Sequence, residues 1–323
     1  MIEGEPSGAG ERVGWIGLGR MGVPIARRLL ADHIALVVYN RTPAKAEPVL
    51  GQGARWAESP RAVAAAVPAG IIFTLLTDGR AVRSVLFGRR GVAAGAAPGT
   101  LIVDLSTIAP AESRAIAERL AARGLRFVDA PLGGSTPAAE EGKLLVYAGG
   151  DPADVDRVRP LLGRFARRVE RIGPVGAGAA MKLVNNLMIV GHVVLAAEAL
   201  ALAQGLNVDR DLALDLLLDG GGHSRMLADK RPSFSRREYP TRFALSLATK
   251  DLGLVARAAR SVGGSLPVTR EVRRVAREAM RAGLGDQDFA VVFERVLARF
   301  GSAEPTRPPA RPEDRPGATG TAA

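Results

Sequence analysis

Two short patterns in this chain place residue types that chemistry needs at fixed spacing. The first is Gly17-x-Gly19-x-x-Gly22, inside VGWIGLGRMGVPIARRLL. A first glycine permits a tight turn, a second lets backbone approach a pyrophosphate, and a third allows close helix packing. The helix that follows points its N–H groups at the phosphate charge. Three spaced glycines are a weak sign in a chain with 38 of them. Here they follow a short apolar run and open a helical pattern, the context a dinucleotide-binding turn needs. The second pattern is Lys182-x-x-x-Asn186, inside GAGAAMKLVNNLMIV. Lysine is scarce, five residues among 44 basic ones. Setting one among small and apolar neighbours is expensive unless something pairs with it or uses it.

Positions i and i+4 share a helix face, so Lys182 and Asn186 can meet the same small molecule. Asn185 lies about 100° away and is expected to face a cofactor or an interface. An ammonium at hydrogen-bond distance stabilises negative charge developing on a carbonyl oxygen and can deliver the proton. Asn186 can hold the same oxygen or a neighbouring hydroxyl. The ordinary lysine pKa, about 10.4, must fall for such cycling near neutrality, through desolvation or a cationic neighbour. Met181, Leu183, Val184 and Leu187 suit that requirement.

The elements that must hold these patterns are legible as hydrophobic periodicity. Strands are predicted at 13–17, 35–39, 71–76, 101–106, 127–131 and 144–150, and helices near 21–31, 43–51, 79–87 and 110–123. Such alternation argues for a parallel sheet covered on both faces. From about residue 177 the strand signal stops. Helices are predicted at 178–205, 209–218, 244–262, 267–282 and 288–299, with a further short one at 225–229 and a polar, proline-bearing connection over 231–241. The expected fold is α/β, a Rossmann-type doubly wound sheet followed by an all-α C-terminal domain joined by a long helix. The expected layout is a flexible tail over 1–11, a nucleotide-binding domain over 12–173, an all-α domain over 174–300 and a disordered tail over 301–323.

Composition narrows the classes. The absence of cysteine removes disulfides, thiolate nucleophiles and cysteine zinc sites, and three dispersed histidines suggest no metal. A net charge of +11 raises nucleic-acid binding, but the arginines are scattered and aromatics are only 4%. Nucleic acid is therefore not the expected partner, whereas anionic small molecules are. The apolar run Leu187–Ala203 is interrupted by His192 and Glu198, so it reads as a long buried helix and not a membrane span. The first residues lack a basic segment followed by an apolar one, and a cytoplasmic location is expected.

Cofactor choice turns on the end of the second strand. A site for NAD places a carboxylate there for the ribose hydroxyls. This chain has Tyr39-Asn40-Arg41-Thr42. Nothing there repels a 2′-phosphate, and Arg41 can pair with one, so NADPH is preferred and NAD remains possible. In an arginine-rich chain Arg41 is otherwise simply a surface residue.

GWIGLGRMGVPIARRLL, VVYNRTPAKAEPV, VDLSTIAP (103–110), DAPLGGSTPAAEEGKL (129–144), GAGAAMKLVNNLM and Lys250-Asp251-Leu252 occur in that order. Together they resemble the β-hydroxyacid dehydrogenase family, which includes 3-hydroxyisobutyrate dehydrogenase and the semialdehyde and glyoxylate reductases. The resemblance spans roughly 12–300. It implies a dehydrogenase or reductase of a small carboxylated substrate, in which Lys182 is the acid/base and Asn186 binds substrate. It implies cofactor contacts from Gly17, Leu18, Gly19, Arg20, Met21, Gly22, Asn40, Arg41, Thr42, Leu75, Leu76, Thr107 and Lys250, the last approaching from the second domain. It also implies a substrate loop at Gly133, Gly134 and Ser135, and a homodimer or homotetramer. Two of these positions have plainer readings: Ser106 and Thr107 as a helix cap before Pro110, and Lys250 as a solvated charge at a helix end. The family's loop usually reads serine-glycine-glycine, whereas this chain reads Gly133-Gly134-Ser135, which leaves the substrate open. His223 in GGGHSRM either faces the substrate or lies on a surface loop. Imine reduction and a non-catalytic NADP-binding scaffold are the alternatives. Relatives that reduce imines generally lack the lysine.

Overall fold

A computed structural model describes residues 12–300. The two expected tails, 1–11 and 301–323, lie outside the described residues. The described residues form two compact units, one holding 12–188 together with Leu247–Arg270, the other holding Ile189–Ser246 and 271–300. All three borders fall inside helices, and the two lysine motifs at 182 and 250 belong to the same unit as the sheet.

In the first unit the chain order is β1 (Val13–Ile16), α1 (Gly22–Ala31), β2 (Leu36–Tyr39), α2 (Glu47–Leu50), β3 (Arg55–Trp56), α3 (Pro60–Ala66), β4 (Ile71–Thr74) and α4 (Gly79–Phe87). There follow β5 (Leu101–Asp104), α5 (Pro110–Ala121), β6 (Arg126–Asp129), β7 (Leu132–Gly133), α6 (Thr136–Glu140), β8 (Leu144–Gly149), α7 (Pro152–Leu162) and β9 (Ala166–Gly173). The strands β3-β2-β1-β4-β5-β6 are neighbours in that order and all parallel, the doubly wound arrangement. Residues of β1, β4 and β5 are buried throughout because both faces are covered. Val13, Trp15, Phe73 and Val103 face one core, while Ile16, Ile72 and Ile102 face the other.

Beyond β6 the parallel pattern expected for 144–150 fails. β8 runs antiparallel to β6 and β7, and β9 pairs parallel with β8. β6 and β7 pair with β8 in one continuous register, Asp129 opposite Gly149 and Leu132 opposite Val146. The connection over 134–143 is too short for a parallel crossover, so the chain returns antiparallel. β9 escapes sequence reading because ARRVERIG is mostly exposed and carries no apolar run.

The helical part begins with α8 (Ala177–Gly205), which starts in the first unit and ends in the second. It is long and apolar enough to cross a membrane, but 44% of its most apolar window is packed against protein. α9 (Arg210–Asp219), α10 (Arg225–Arg236), α11 (Leu245–Ser261), α12 (Pro267–Arg281) and α13 (Val292–Leu297) complete the fold. The expected connection over 231–241 is corrected here, because α10 continues to Arg236 with Pro232 inside it. Ser224 caps its first turn by accepting from the Leu227 N–H, and Leu227, Lys230 and Phe234 bury one face. That burial outweighs the lost proline hydrogen bond. In the second unit Phe234 meets Phe293 edge-on at 5.5 Å, and Phe243 meets Phe289 at 5.4 Å.

Candidate active site

The glycine turn follows β1. Gly17 has φ +111°, and a Cβ there would collide with the Leu75 carbonyl of the loop after β4, so backbone geometry and close approach both demand glycine. A Cβ on Gly22 would collide with the Gly17 carbonyl. Gly19 differs: a Cβ there would meet nothing within 4 Å, and the residue is exposed. Nothing among the described residues requires glycine at that position. A dinucleotide phosphate approaching the start of α1 would, and the site fits that group.

Around this turn the expected contact residues divide. Arg20 is exposed and Met21 half-buried beside it. Leu18 buries its side chain in the core and donates its N–H to Asn40 Oδ1 at 3.0 Å, while Asn40 Nδ2 donates to the Thr42 carbonyl at 2.8 Å. Asn40 thus fastens the loop after β2 to the glycine turn. Arg41 is exposed at the tip of that loop and has no hydrogen-bond partner among the described residues.

The ends of β4 and β5 form the next wall. Leu75 donates its N–H to the Ile16 carbonyl, and Leu76 donates its N–H to Ser106 Oγ at 2.8 Å. Ser106 Oγ in turn donates to Asp104 Oδ1 at 2.6 Å, and Thr74 Oγ1 donates to the same oxygen at 2.8 Å. The reading of Ser106 and Thr107 as a helix cap is therefore corrected: Ala109 occupies the cap position of α5, and Ser106 is bound to the sheet. Lys250 Nζ donates to the carbonyls of Thr77 and Thr107, at 2.9 and 2.8 Å. It is not a solvated charge at a helix end. It fastens α11 to both loops within one compact unit.

α8 carries the second pattern. Its amino end is held by Asp129, the last residue of β6, whose Oδ1 accepts from the Gly176 N–H at 2.6 Å and Oδ2 from the Ala179 N–H at 2.7 Å. Burial pushes this carboxyl up to about 7, against the pull of those two N–H groups, and the neighbouring Asp104 adds to the rise. Asp104, wholly buried, is also raised by desolvation. One turn into α8, Lys182 is half-buried and makes no hydrogen bond or ion pair among the described residues. Desolvation lowers its pKa to about 8, with the Lys250 charge assisting and Asp251 opposing. The side chain keeps some solvent access, so the cause is protein packed around the ammonium and not complete exclusion of water.

Asn186 is buried and donates to Asp251 Oδ2 at 2.6 Å. The other oxygen, Asp251 Oδ1, lies 3.0 Å from Lys250 Nζ, an ion-pair distance without hydrogen-bond alignment. Asn185 was expected to point elsewhere, but its Nδ2 donates to Asn186 Oδ1 at 3.2 Å, and its Oδ1 receives a long contact from Tyr147 Oη at 3.4 Å. Long side chains reach across the 100° that separates their Cα positions. In the substrate loop Gly133 is buried, Gly134 is exposed with φ +125°, and Ser135 is half-buried in front of α6. His223 is exposed in the other unit.

The structure thus joins Asn186 and Lys250 through Asp251, whose charge also acts on Lys182, and Asp251 was visible in the sequence only as a letter of its motif. Asp129 was likewise visible only as a letter of the loop motif. Tyr147 had no signal at all.

Known proteins agree with this construction. Residues 12–173 match the family model described as the NAD binding domain of 6-phosphogluconate dehydrogenase. Residues 176–296 match that described as NAD-binding of NADP-dependent 3-hydroxyisobutyrate dehydrogenase. The chain is 32% identical to the chloroplastic glyoxylate/succinic semialdehyde reductase 2 of Arabidopsis thaliana, over 88% of this chain and 79% of that one. A 3-hydroxyisobutyrate dehydrogenase structure from Salmonella typhimurium is 32% identical, covers 88% of this chain and all of its own, and superposes with a TM-score of 0.81. Psf3, solved in complex with NADP+ and 2-OPP, is 28% identical, covers 88% of this chain and 99% of its own, and superposes with the same score. With both family models matched in order across a sheet and helices of this topology, the chain is an NAD(P)-binding oxidoreductase that belongs to the β-hydroxyacid dehydrogenase family.

Proposed function

We propose that this protein is an NADPH-preferring reductase of short carboxylated aldehydes and keto acids, and in reverse a dehydrogenase of the corresponding hydroxyacids, with Lys182 as general acid and base. The observation that carries the reading is the unpaired Lys182 ammonium, with its pKa lowered to about 8, one helical turn from an Asn186 fixed by Asp251. A group that titrates near neutrality and has no partner is free to exchange a proton with substrate. A nicotinamide dinucleotide bound at the glycine turn supplies or accepts the hydride. In reduction Lys182 delivers its proton to the substrate oxygen as charge builds there, and Asn186 holds that oxygen or a neighbouring hydroxyl. In oxidation the neutral amine removes the hydroxyl proton. Asp251 keeps the Asn186 amide oriented as a donor, so Asn186 Oδ1 is left to face other donors.

Arg41 supports the preference for NADPH, because its exposed guanidinium at the end of β2 has no hydrogen-bond or ion-pair partner among the described residues, and the Tyr39-Asn40-Arg41-Thr42 segment carries no carboxylate to repel a 2′-phosphate. Glyoxylate and succinic semialdehyde, the substrates in the name of the Arabidopsis relative, are the first compounds to try. We take the working form to be a cytoplasmic homodimer or homotetramer, in keeping with exposed Leu195, Leu202 and Leu206 along α8 and its end.

The test is a panel of small carboxylated aldehydes and keto acids, run with NADPH and NADH. The expected result is turnover with NADPH favoured, loss of most kcat in Lys182→Ala with cofactor binding retained, and loss of the NADPH advantage in Arg41→Ala. A Lys182→Ala enzyme with unchanged kcat sinks the assignment of the lysine.

A further inference from the structure

Gly133 is an unexplained glycine. Its φ is not positive, it is not part of a tight turn, and it pairs with Leu145 in a regular antiparallel ladder. Glycine inside a strand weakens it, so a glycine there usually marks a close approach. The approaching group is Tyr147. A Cβ on Gly133 would lie 2.6 Å from Tyr147 Oη, 3.1 Å from Cζ and 3.2 Å from Cε2. The phenol tip therefore occupies the space a side chain at 133 would fill, and that is the position where the family resemblance leads one to expect serine.

The hydroxyl is nearly buried yet weakly satisfied. Tyr147 is 9% exposed, and the one hydrogen bond shown for Oη is the 3.4 Å contact to Asn185 Oδ1. A good O–H···O bond is about 2.7–2.8 Å. A buried phenol in this state retains donor capacity for a stronger acceptor. Its burial also raises its pKa, so it stays a neutral donor. From Oη a continuous set of side chains runs through Asn185 to Asn186, one helical turn from Lys182, and on to Asp251 and Lys250.

We propose that Tyr147 is a specificity-determining residue whose hydroxyl, admitted by Gly133, serves the substrate loop in place of a loop serine and donates to the carboxylate of a small hydroxyacid or aldehyde acid. This rests on the function proposed above. A phenol reaches further than a serine from the other side of the ladder, so the loop takes its donor from β8. The chemistry recognised is an anionic acceptor, because a carboxylate rewards a neutral donor more than a carbonyl does.

The test measures glycolate binding to the NADP-loaded protein by calorimetry, together with KM and kcat for glyoxylate and succinic semialdehyde. Tyr147→Phe keeps the ring and should leave the melting temperature unchanged, weaken glycolate binding about tenfold or more, and raise KM by a similar factor with a smaller change in kcat. Gly133→Ser alone should be impaired by collision with the phenol. Gly133→Ser combined with Tyr147→Leu should bind glycolate more tightly than Tyr147→Leu alone. Unchanged binding and KM in Tyr147→Phe, or a double variant no better than Tyr147→Leu, overturns the proposal. A wild type that binds glycolate in a Tyr147-dependent way but turns over neither aldehyde overturns the proposed reaction and leaves Tyr147 standing. A wild type that does neither overturns both.

Discussion

Lys182 and Lys230 are two lysines drawn into the protein, one in each compact unit, and they are held in opposite ways. Lys230 lies on α10, is 6% exposed, and places Nζ 2.7 Å from Asp288 Oδ1 and 4.8 Å from the Phe289 ring centroid. Asp288 is itself saturated, accepting N–H groups from Arg242, Phe243 and Ala290. Every charge there has its partner. Lys182 keeps more solvent access but has no ion pair, and its pKa falls to about 8 through desolvation. A buried charge that is fully paired holds structure together. One left unpaired destabilises the fold and is retained for its reactivity.

The largest expected effect breaks the second half of that comparison. Lys182→Met should lower kcat by about 100- to 10,000-fold, the usual contribution of a positioned acid or base. The same change should raise the melting temperature at neutral pH. The lowered pKa, from 10.5 to about 8, means that the ammonium is disfavoured in the fold by up to about 3 kcal/mol. A thermal melt without cofactor checks this, and a melting temperature that falls would show that Lys182 has a partner after all.

Next in size is the opposite experiment. Lys230→Met leaves Asp288 buried without its cation, which should cost about 3–5 kcal/mol of stability. Because Lys230 lies in the other unit from the proposed site, kcat per folded molecule should be unchanged at a temperature where the variant is folded. Denaturant unfolding and a titrated activity assay separate the two readouts. Equal losses of kcat in Lys182→Met and Lys230→Met would erase the distinction between the two lysines.

The sequence distinguishes these lysines only in part. MLADK ending at Lys230 offers no long apolar run and no asparagine four residues on, so it reads as surface, and its carboxylate arrives 58 residues later from Asp288. Non-local pairing of that kind leaves no local pattern. Lys182 stands out because its surroundings are local: a glycine turn, small residues and Asn186 on one helix face. The same rule explains the fold. The strands β1, β2, β4 and β5 and the glycine turn are legible because burial on both faces writes continuous apolar runs. β9, with mostly exposed charged residues, and α10, with Pro232 inside it, are set by pairing and packing partners distant in sequence. At the site, Lys182, Asn186 and Lys250 are visible as motif residues, whereas Asp251, Asp129 and Tyr147 gain their tasks only through contacts 38–65 residues away.

The smallest expected effect concerns how the charged state of the site bears on stability. Asp129 has its carboxyl raised from 3.8 to about 7, so between these values the folded chain binds a proton that the unfolded chain has released. Its contribution to stability therefore falls as pH rises from about 4 to 7 and is level above that. Lys182 is lowered from 10.5 to about 8, so over that window the unfolded chain holds the extra proton and stability rises with pH. Together they make a shallow trough between about pH 7 and 8, where both the Asp129 clamp on α8 and the Lys182 ammonium are charged. Asp129→Asn should remove the acidic wall of that trough, because an amide does not titrate. Above pH 7, where the native side chain is a carboxylate, the amide's single acceptor oxygen leaves one of the Gly176 and Ala179 N–H groups unmet, at about 1–3 kcal/mol. Lys182→Met should remove the basic wall and leave the acidic one. Melting temperatures of the three proteins across pH 5 to 10 decide it: parallel curves would mean that folding shifts the pKa of neither group, and that the state poised for proton transfer carries no stability cost.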